Sequence, residues 1–204
     1  MLNDRLNFKQ LKRFLPLTQP CLLCKNFDGG KLGICAECFN DLTWHTAPHC
    51  PQCGLESGSD ICGQCLKNSP DFDRTLALFT YDYPANALLQ HFKYHKAHHL
   101  AHTFGNLLAE EIGKKSNQST LVDLVIPMPM HPTRLKERGF NQALEIARIA
   151  SKKLDLTMDI ESCYRKRLTP PQASLPLKER VKNMQDVLPA TKICKATLSL
   201  LWMM

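Results

Sequence analysis

Eight of the ten cysteines in this 204-residue sequence fall into four pairs of the form CxxC. A CxxC turn sets two thiolates about one tetrahedral edge apart, so two such turns can close a four-sulfur shell around Zn²⁺. Four repeated pairs fit metal binding better than a single oxidoreductase motif, and we therefore predict two zinc sites rather than a redox centre. The predicted ligands are Cys21, Cys24, Cys35, Cys38, Cys50, Cys53, Cys62 and Cys65, whereas Cys163 and Cys194 stand alone.

The spacing between the pairs indicates how they combine. Ten residues separate the first two pairs and eight separate the last two, as a short hairpin between two zinc knuckles would require. The simplest pairing is sequential, with the first four cysteines on one zinc and the last four on the other, and an interleaved pairing stays open. Two all-cysteine shells leave no open coordination position, which favours a structural role over a catalytic one. His45 and His49, between the sites, are then expected to be spectators.

Composition and charge narrow the class of protein. Apolar residues make up 44% of the chain and charged residues 22%, values typical of a folded globular protein. No apolar run approaches the roughly 18 residues of a membrane helix, and charges interrupt the leucines near the N-terminus, so we expect a soluble, cytoplasmic protein without membrane insertion. Residues 121–204 hold 14 Lys and Arg against 8 Asp and Glu. Such a basic segment suits an anionic partner, or is simply a solvated surface.

The remaining pattern predicts an α/β arrangement after the cysteine-rich part. Residues 70–83 predict a strand or hairpin, and the apolar residues between Leu88 and Ile112 predict two helices with a break near residues 96–98. The apolar run 121–130 predicts a strand buried in a parallel sheet. Five histidines between His91 and His102 are interpreted as an exposed polar face, with no metal assigned to them.

Two basic segments could hold an anion. Arg134 and Arg138 precede Gly139, and Asn141 is placed to cap the helix of NQALEIARIASKKL. A strand, a basic glycine-containing loop and a helix start would present main-chain N–H groups and guanidinium groups to a phosphate, although an ordinary strand-to-helix connection is equally compatible with the pattern. The second segment, YRKRLTPPQASLPLKERVKN, is either a mobile lid over a charged ligand or a plain linker, with Pro176 opening the next helix.

These elements in this order resemble the ComF family of phosphoribosyltransferase-like proteins. The residues that carry the resemblance are the four CxxC pairs, LLQHFKYH, VIPMPMHPTRLKERGFNQ and RKRLTPPQASLPLKERVKNMQDV, within about residues 20–188. The resemblance implies a double zinc ribbon followed by a type I phosphoribosyltransferase-like domain, associated with competence and DNA uptake or utilisation. The implied domains are an N-terminal extension at 1–19, the double zinc ribbon at 20–68, and the phosphoribosyltransferase-like domain at 70–204.

The resemblance also implies a set of site residues. The pyrophosphate-binding loop falls on Arg134, Arg138, Gly139, Phe140, Asn141 and Gln142, and the flexible loop falls on Thr169, Pro171 and Gln172, with Arg180 and Asn183 on the helix behind it. The implied ligand is phosphoribosyl pyrophosphate or pyrophosphate, and Mg²⁺ would accompany it in a complete catalytic domain. Single-stranded DNA and competence or DNA-processing proteins are the implied partners.

The C-terminal end departs from the family pattern. Members of the family carry a strand, an acidic pair and a Thr-rich, Gly-containing loop after the segment equivalent to NMQDV, whereas this chain reads KATLSLLWMM. We therefore expect a truncated, incomplete domain with impaired catalysis, in which residues 198–201 pair at the sheet edge. A shifted reading frame near residues 194–201 is one hypothesis for this ending. The alternatives are a noncatalytic zinc-ribbon module that binds nucleic acid or protein, and an inactive frameshifted product.

Overall fold

The computed structural model describes residues 19–58, 60–95, 97–116, 122–189 and 197–200. Almost all of the predicted extension at 1–19, the lone Cys194 and the WMM ending lie outside these residues. Backbone contacts divide the chain into two compact units, Met1–Leu42 and Thr43–Met204, and this division falls between the first four and the last four paired cysteines. The domain limits at 20–68 and 70–204 stay a prediction.

The described residues of the first unit, 19–42, contain one short helix. This helix, α1, spans Ala36–Asn40 and begins directly after Cys35, whose extended backbone serves as the N-cap. Ile34 and Leu42 are buried beside Cys21 and Cys35, so the small core of this unit consists mainly of cysteine and a few aliphatic side chains. A core of this size cannot stabilise a fold alone, and bound metal is the usual supplement.

The second unit is an α/β structure with six helices and three strands in the described residues. Its helices are α2 (Gly63–Lys67), α3 (Ala85–Tyr94), α4 (His99–Ser116), α5 (Pro132–Arg138), α6 (Gln142–Leu154) and α7 (Leu177–Met184), with a 3₁₀ turn at Gln172–Ser174; its strands are β1 (Leu124–Pro127), β2 (Thr157–Met158) and β3 (Thr197–Leu200). The two helices predicted within Leu88–Ile112 are confirmed as α3 and α4. None of the described helices is long and apolar enough to cross a membrane.

The strands form one small parallel sheet in the order β2-β1-β3. Leu124 pairs with Thr157 on one side and with Thr197 on the other, so β1 is the central strand. This arrangement confirms the predicted parallel strand within 121–130, but only alternate residues of β1 are buried, with Val125 the most enclosed. The expected pairing at 198–201 is confirmed for 198–200, and Leu201 lies outside the described residues.

Helices α4 and α6 pack closely through a glycine. A Cβ atom built on Gly105 would lie 2.7 Å from Cβ of Ile149, a distance that leaves no room for a side chain. Ala147 and Ala150 of α6 are fully buried, as small residues at a close helix contact usually are. This packing fixes α6, and with it the residues at the start of α6.

The predicted strand or hairpin at 70–83 is wrong. The described backbone of this segment is mostly irregular and forms a single antiparallel bridge, Trp44 to Phe79, flanked by two hydrogen bonds. The alternation of apolar residues reflects the packing of Phe79 against Trp44 and Phe104 rather than a ladder. The partner segment around Trp44 is itself too short for a ladder, because a helix turn precedes it and Pro48 follows.

Candidate metal centres and a candidate anion site

The first CxxC pair of each cysteine cluster lies in a turn with the same hydrogen bonds. In the first cluster, Lys25 has a positive φ of 64° and donates its N–H to the carbonyl of Cys21, while Cys21 donates to Asn26. In the second cluster, Gly54 (φ 73°) donates to Cys50, and Cys50 donates to Leu55. This repeated turn points both sulfur atoms of a pair to the same side, and the sequence analysis did not identify it as a repeat.

The second CxxC pair of each cluster lies at the start of a short helix. Cys35 is the N-cap of α1 and Cys62 is the N-cap of α2, so the next cysteine of each pair falls in the first turn of its helix. The helix start brings main-chain N–H groups and the positive end of the helix dipole close to the sulfur atoms. Both clusters therefore combine one turn and one helix start.

The sulfur positions fit two tetrahedral zinc ions. Within each cluster the four sulfur atoms lie within 4.8 Å of one another. The Sγ atoms of Cys24 and Cys35 are 3.6 Å apart, and those of Cys53 and Cys62 are 3.7 Å apart. Zn–S bonds of about 2.3 Å place neighbouring sulfurs about 3.8 Å apart, so the sites match zinc in size as well as in donor type. The clusters are sequential, which confirms the simpler of the two pairings.

The acidity of the thiols agrees with metal binding. Main-chain N–H groups of Cys62 and Cys53 lower the pKa of Cys50 to about 6, whereas burial and the neighbouring thiols raise the pKa of Cys65 to about 12. In the first cluster, burial opposes the effect, but the N–H groups of Cys35 and Cys24 lower the pKa of Cys21 to about 6. Ionisation of one thiol in a cluster thus makes ionisation of the next thiol less favourable. A bound divalent cation offsets this repulsion between thiolates.

The histidines stay apart from both clusters. The rings of His45 and His49 are 4.3 Å apart and contact each other, but the four-cysteine sets are complete without them, as expected for spectators. On α3, His91 stacks on His95 with ring centroids 4.6 Å apart. In the described part of the chain, the groups with metal-ligand geometry are the two cysteine clusters.

The basic segment after β1 is a helix, not the predicted glycine-containing loop. Residues Pro132–Arg138 form α5, which begins with proline after the N-cap His131 and ends at Gly139 in the left-handed region at φ 85°. Proline at the start and glycine after the end are the usual limits of a helix, and they determine the structure here. The strand-loop-helix interpretation of this segment is therefore corrected to a strand, a short helix and a three-residue turn into α6.

Asn141 caps the start of α6 and bonds two of its N–H groups. Asn141 is the N-cap, as predicted, and its Oδ1 accepts from the N–H groups of Ala143 and Leu144 at 3.0 and 3.4 Å. Its Nδ2 donates to the carbonyl of Met128 at 3.0 Å, which ties the turn to the end of β1. Phe140 is buried against Phe92, with ring centroids 5.5 Å apart. Asn141 and Phe140 thus hold the turn in place.

Arg134 connects the two basic segments. Its Nη2 donates to the carbonyl of Thr169 at 2.9 Å, and Thr169 is almost completely buried. Arg165, which the sequence analysis did not select, donates to the Thr169 hydroxyl at 2.6 Å. Burial and the nearby Arg134 and Arg167 guanidinium groups lower the pKa of Arg165. Two arginines therefore bond this threonine, whereas Arg167 donates to the carbonyls of Asn183 and Gln185.

The other residues of the second segment lie beside the same threonine. Pro171 precedes the 3₁₀ turn that contains Gln172, and Asn183 of α7 donates to the carbonyl of Pro170 at 3.3 Å. Arg180, also on α7, uses its Nε on the carbonyl of Leu175. The predicted position of Arg180 and Asn183 on a helix is confirmed.

Arg138 lies at the opposite end of α5, one turn from Arg134. Its guanidinium is 5.7 Å from the ring centroid of Tyr94 and donates to Oε1 of Gln142 at 3.2 Å. Lys93, next to Tyr94 on α3, is a buried lysine that the sequence analysis missed. The helical spacing indicates that Lys93 lies on the inner face of α3, because it follows the buried Leu89 by four residues.

Comparisons with known proteins support the two cysteine clusters. The family model of the double zinc ribbon domain matches residues 11–68, which include all eight paired cysteines. The chain is 30% identical over 171 residues to Competence protein F of Haemophilus influenzae, a match that covers 81% of this chain and 74% of the relative. It is 29% identical over 177 residues to DNA utilization protein YhgH of Escherichia coli K12, covering 83% and 78% of the two chains. No solved structure matches the chain.

The relatives extend over both the cysteine clusters and the α/β part, and the structure places two zinc-type clusters before a small parallel sheet. The chain therefore belongs to the ComF family.

Proposed function

We propose that this protein acts in DNA utilisation by binding a diphosphate, either phosphoribosyl pyrophosphate or pyrophosphate, on the second unit. The printed names of the relatives, Competence protein F and DNA utilization protein YhgH, support the biological setting. The observation that carries the chemical part is the hydrogen bond from Arg134 to Thr169, because it joins the two basic segments into one surface.

The donors on this surface suit a diphosphate. Arg134 uses one of its five N–H donors on Thr169, and Arg138 uses one on Gln142, so both guanidinium groups keep donors for a ligand. Among the described residues, neither guanidinium forms an ion pair with a carboxylate. Charge-assisted bonds from guanidinium to phosphate oxygens are among the stronger hydrogen bonds in proteins.

The proposed site residues fall into two groups. Direct contact is proposed for Arg134, Arg138 and Gln142 and, from the second segment, for Gln172, Arg180 and Asn183. A positioning role is proposed for Gly139, Phe140, Asn141, Thr169 and Pro171, since these residues shape the turn or anchor the arginines. The zinc ions hold the cysteine clusters together and take no part in diphosphate binding.

Isothermal titration of the zinc-loaded full chain with phosphoribosyl pyrophosphate and with pyrophosphate tests this proposal. We expect saturable binding that weakens about ten-fold or more in Arg134→Ala, since one charge-assisted bond contributes about 1.5–3 kcal/mol. Arg148→Ala is the matched control, because Arg148 lies on the exposed side of α6 and pairs with Glu145 of the same helix. The absence of binding to both compounds, or equal losses in the two variants, would contradict the proposal.

A second candidate ligand is single-stranded DNA. The observation that favours it is the exposed ring of Tyr94 with the Arg138 guanidinium above it, an arrangement on which a base can stack. Stacking contributes about 1–3 kcal/mol per base, so Tyr94→Ala should weaken oligonucleotide binding at least several-fold. Tyr81→Ala, which removes another exposed tyrosine, serves as the control. Fluorescence anisotropy at several salt concentrations measures the effect, and binding that is independent of salt would exclude a phosphate-based contact.

A further inference from the structure

Lys93 is a buried cation without a described partner. Its side chain lies on the inner face of α3, and the residue is only 7% exposed. Within the part of the chain that the structure describes, its ammonium group forms neither an ion pair nor a hydrogen bond. Most of the side chain is shielded from solvent while the ammonium group keeps contact with it, so an anion beside Lys93 would be held by a poorly hydrated cation.

The neighbours of Lys93 place it beside the turn between α5 and α6. Phe92 contacts Phe140, and Tyr94 contacts Arg138, so the residues on both sides of Lys93 meet this turn. Burial and the positive charge of Arg138 together lower the pKa of Lys93 to about 8. Two cations thus lie close together where a counter-charge is missing.

The side-chain amide of Gln142 adds a third donor beside those of Lys93 and Arg138. The residue is 2% exposed, and its Oε1 accepts from Arg138. Because arginine can only donate, this bond fixes the orientation of the amide and turns Nε2 away from Arg138. Nε2 is buried and has no hydrogen-bond partner among the residues that the structure describes. An unpaired donor inside a protein is rare and needs an explanation.

Ammonium, guanidinium and amide N–H groups are all donors, so a group that bonds all three has to be an acceptor, and the two positive charges favour an anion. We propose that Lys93, Arg138 and Gln142 form the seat of one phosphate group, with Lys93 on α3 as a contact that lies outside both basic segments. This inference rests on the proposed function, because Arg138 and Gln142 also belong to the proposed diphosphate site. The inference adds α3 to the helices that contribute phosphate contacts. It also predicts that a phosphate lies at the Arg138 end of the surface.

Titration calorimetry with inorganic phosphate and with pyrophosphate tests the role of Lys93. Lys93→Met keeps the length of the side chain and removes its charge, and we expect about a ten-fold or greater loss of affinity for both anions. Lys93→Gln is a second neutral variant in case the first fails to fold. Lys152→Met makes the same charge change at an exposed position of α6 and should bind both anions as the wild type does.

The outcomes separate this inference from the proposed function. If the wild type binds pyrophosphate and both neutral variants bind it equally well, the role of Lys93 is wrong and the diphosphate function stands. If the wild type binds phosphate in a Lys93-dependent way but not pyrophosphate, the seat stands and the diphosphate function is wrong. If the wild type binds neither anion, or if Lys152→Met loses as much affinity as Lys93→Met, the seat is overturned.

Discussion

The guanidinium group of Arg134 donates a 2.9 Å hydrogen bond to the main-chain carbonyl of Thr169, 35 residues later in the chain. This bond links α5, directly after the central strand, to the proline-containing segment before α7. The Thr169 side chain accepts a second bond, from Arg165. Thr169 thus anchors two cations through its main chain and its hydroxyl, and it keeps both close to the proposed diphosphate surface.

The Thr169 hydroxyl is expected to contribute to stability. Thr169→Val keeps the shape of the side chain but leaves the Arg165 guanidinium without this acceptor, and the Nε of Arg165 is already buried and unpaired. We expect the free energy of unfolding to fall by about 1–3 kcal/mol, as measured by urea denaturation. The exposed Thr133 on α5 provides the control, since Thr133→Val should change stability by less than about 0.5 kcal/mol. Equal effects of the two substitutions would show that the hydroxyl is unimportant.

Removal of the Lys93 charge is expected to stabilise the protein at neutral pH. The folded-state pKa of about 8 lies below the ordinary value of 10.5, so the unfolded chain binds the proton more tightly. The resulting penalty is fully present below about pH 8 and disappears as the pH rises from 8 to 10.5. Lys93→Met should therefore be more stable than the wild type at pH 7, by about 1–2 kcal/mol because solvent screens the partly accessible ammonium group.

Chemical denaturation of both proteins between pH 7 and 10.5 measures this difference. Among the described groups on neighbouring helices, Arg138 is the one whose charge lowers the pKa of Lys93. Subtraction of the two pH profiles removes the contributions of the other titrating groups. A stability difference that stays constant with pH would show that Lys93 keeps its ordinary pKa.

Gly105 is expected to be essential for the packing of α4 on α6. The Cβ of Gly105→Ala would lie 2.7 Å from Cβ of Ile149, so the helices must separate, at a cost of about 1–3 kcal/mol. Gly113 lies on the same helix, and the nearest atom to a Cβ built there is 3.9 Å away. Gly113→Ala should therefore be neutral or stabilising by about 0.5–1 kcal/mol. Thermal denaturation that ranks the two variants in the reverse order would contradict this packing.

The sequential pairing of the cysteines can be tested by zinc content. Cys21 and Cys38 belong to one cluster, so replacing both with serine should remove one of two zinc equivalents. In an interleaved arrangement the same double substitution would damage both sites. Cys163 lies outside the clusters, and Cys163→Ser should retain both zinc ions. Elemental analysis of the reduced proteins decides between one lost equivalent and two.

The cysteine clusters were predictable because their information is local. A CxxC turn specifies the distance between two sulfurs within four residues, and the short intervals leave few ways to combine the pairs. The Asn141 cap and the two helices α3 and α4 were predictable for the same reason, since each depends on spacing within one or two turns. The central strand was found as well, but its limits of Leu124–Pro127 are shorter than the apolar run.

The remainder depends on contacts between distant parts of the chain. Lys93 lies beside the turn between α5 and α6 because its chain neighbours Phe92 and Tyr94 contact Phe140 and Arg138, more than 40 residues later, and helical spacing alone does not reveal such contacts. Residues 70–83 contain β-forming residues, but they form only the bridge between Trp44 and Phe79 instead of the predicted hairpin. The reason is that the partner segment around Trp44 is too short for a ladder. The basic residues of the α5 segment were interpreted as part of a phosphate-binding loop. Pro132 and Gly139, however, are the usual first and last limits of a helix.

The central claim is that the turn between α5 and α6 lacks an acceptor and that a phosphate group supplies it. A crystal structure of the zinc-loaded protein grown with pyrophosphate tests this claim most directly. We predict that one phosphate of the ligand lies within hydrogen-bond distance of Lys93 Nζ, the Arg138 guanidinium and Gln142 Nε2. Pyrophosphate bound elsewhere, or three donors that remain unbonded at saturating pyrophosphate, would contradict it.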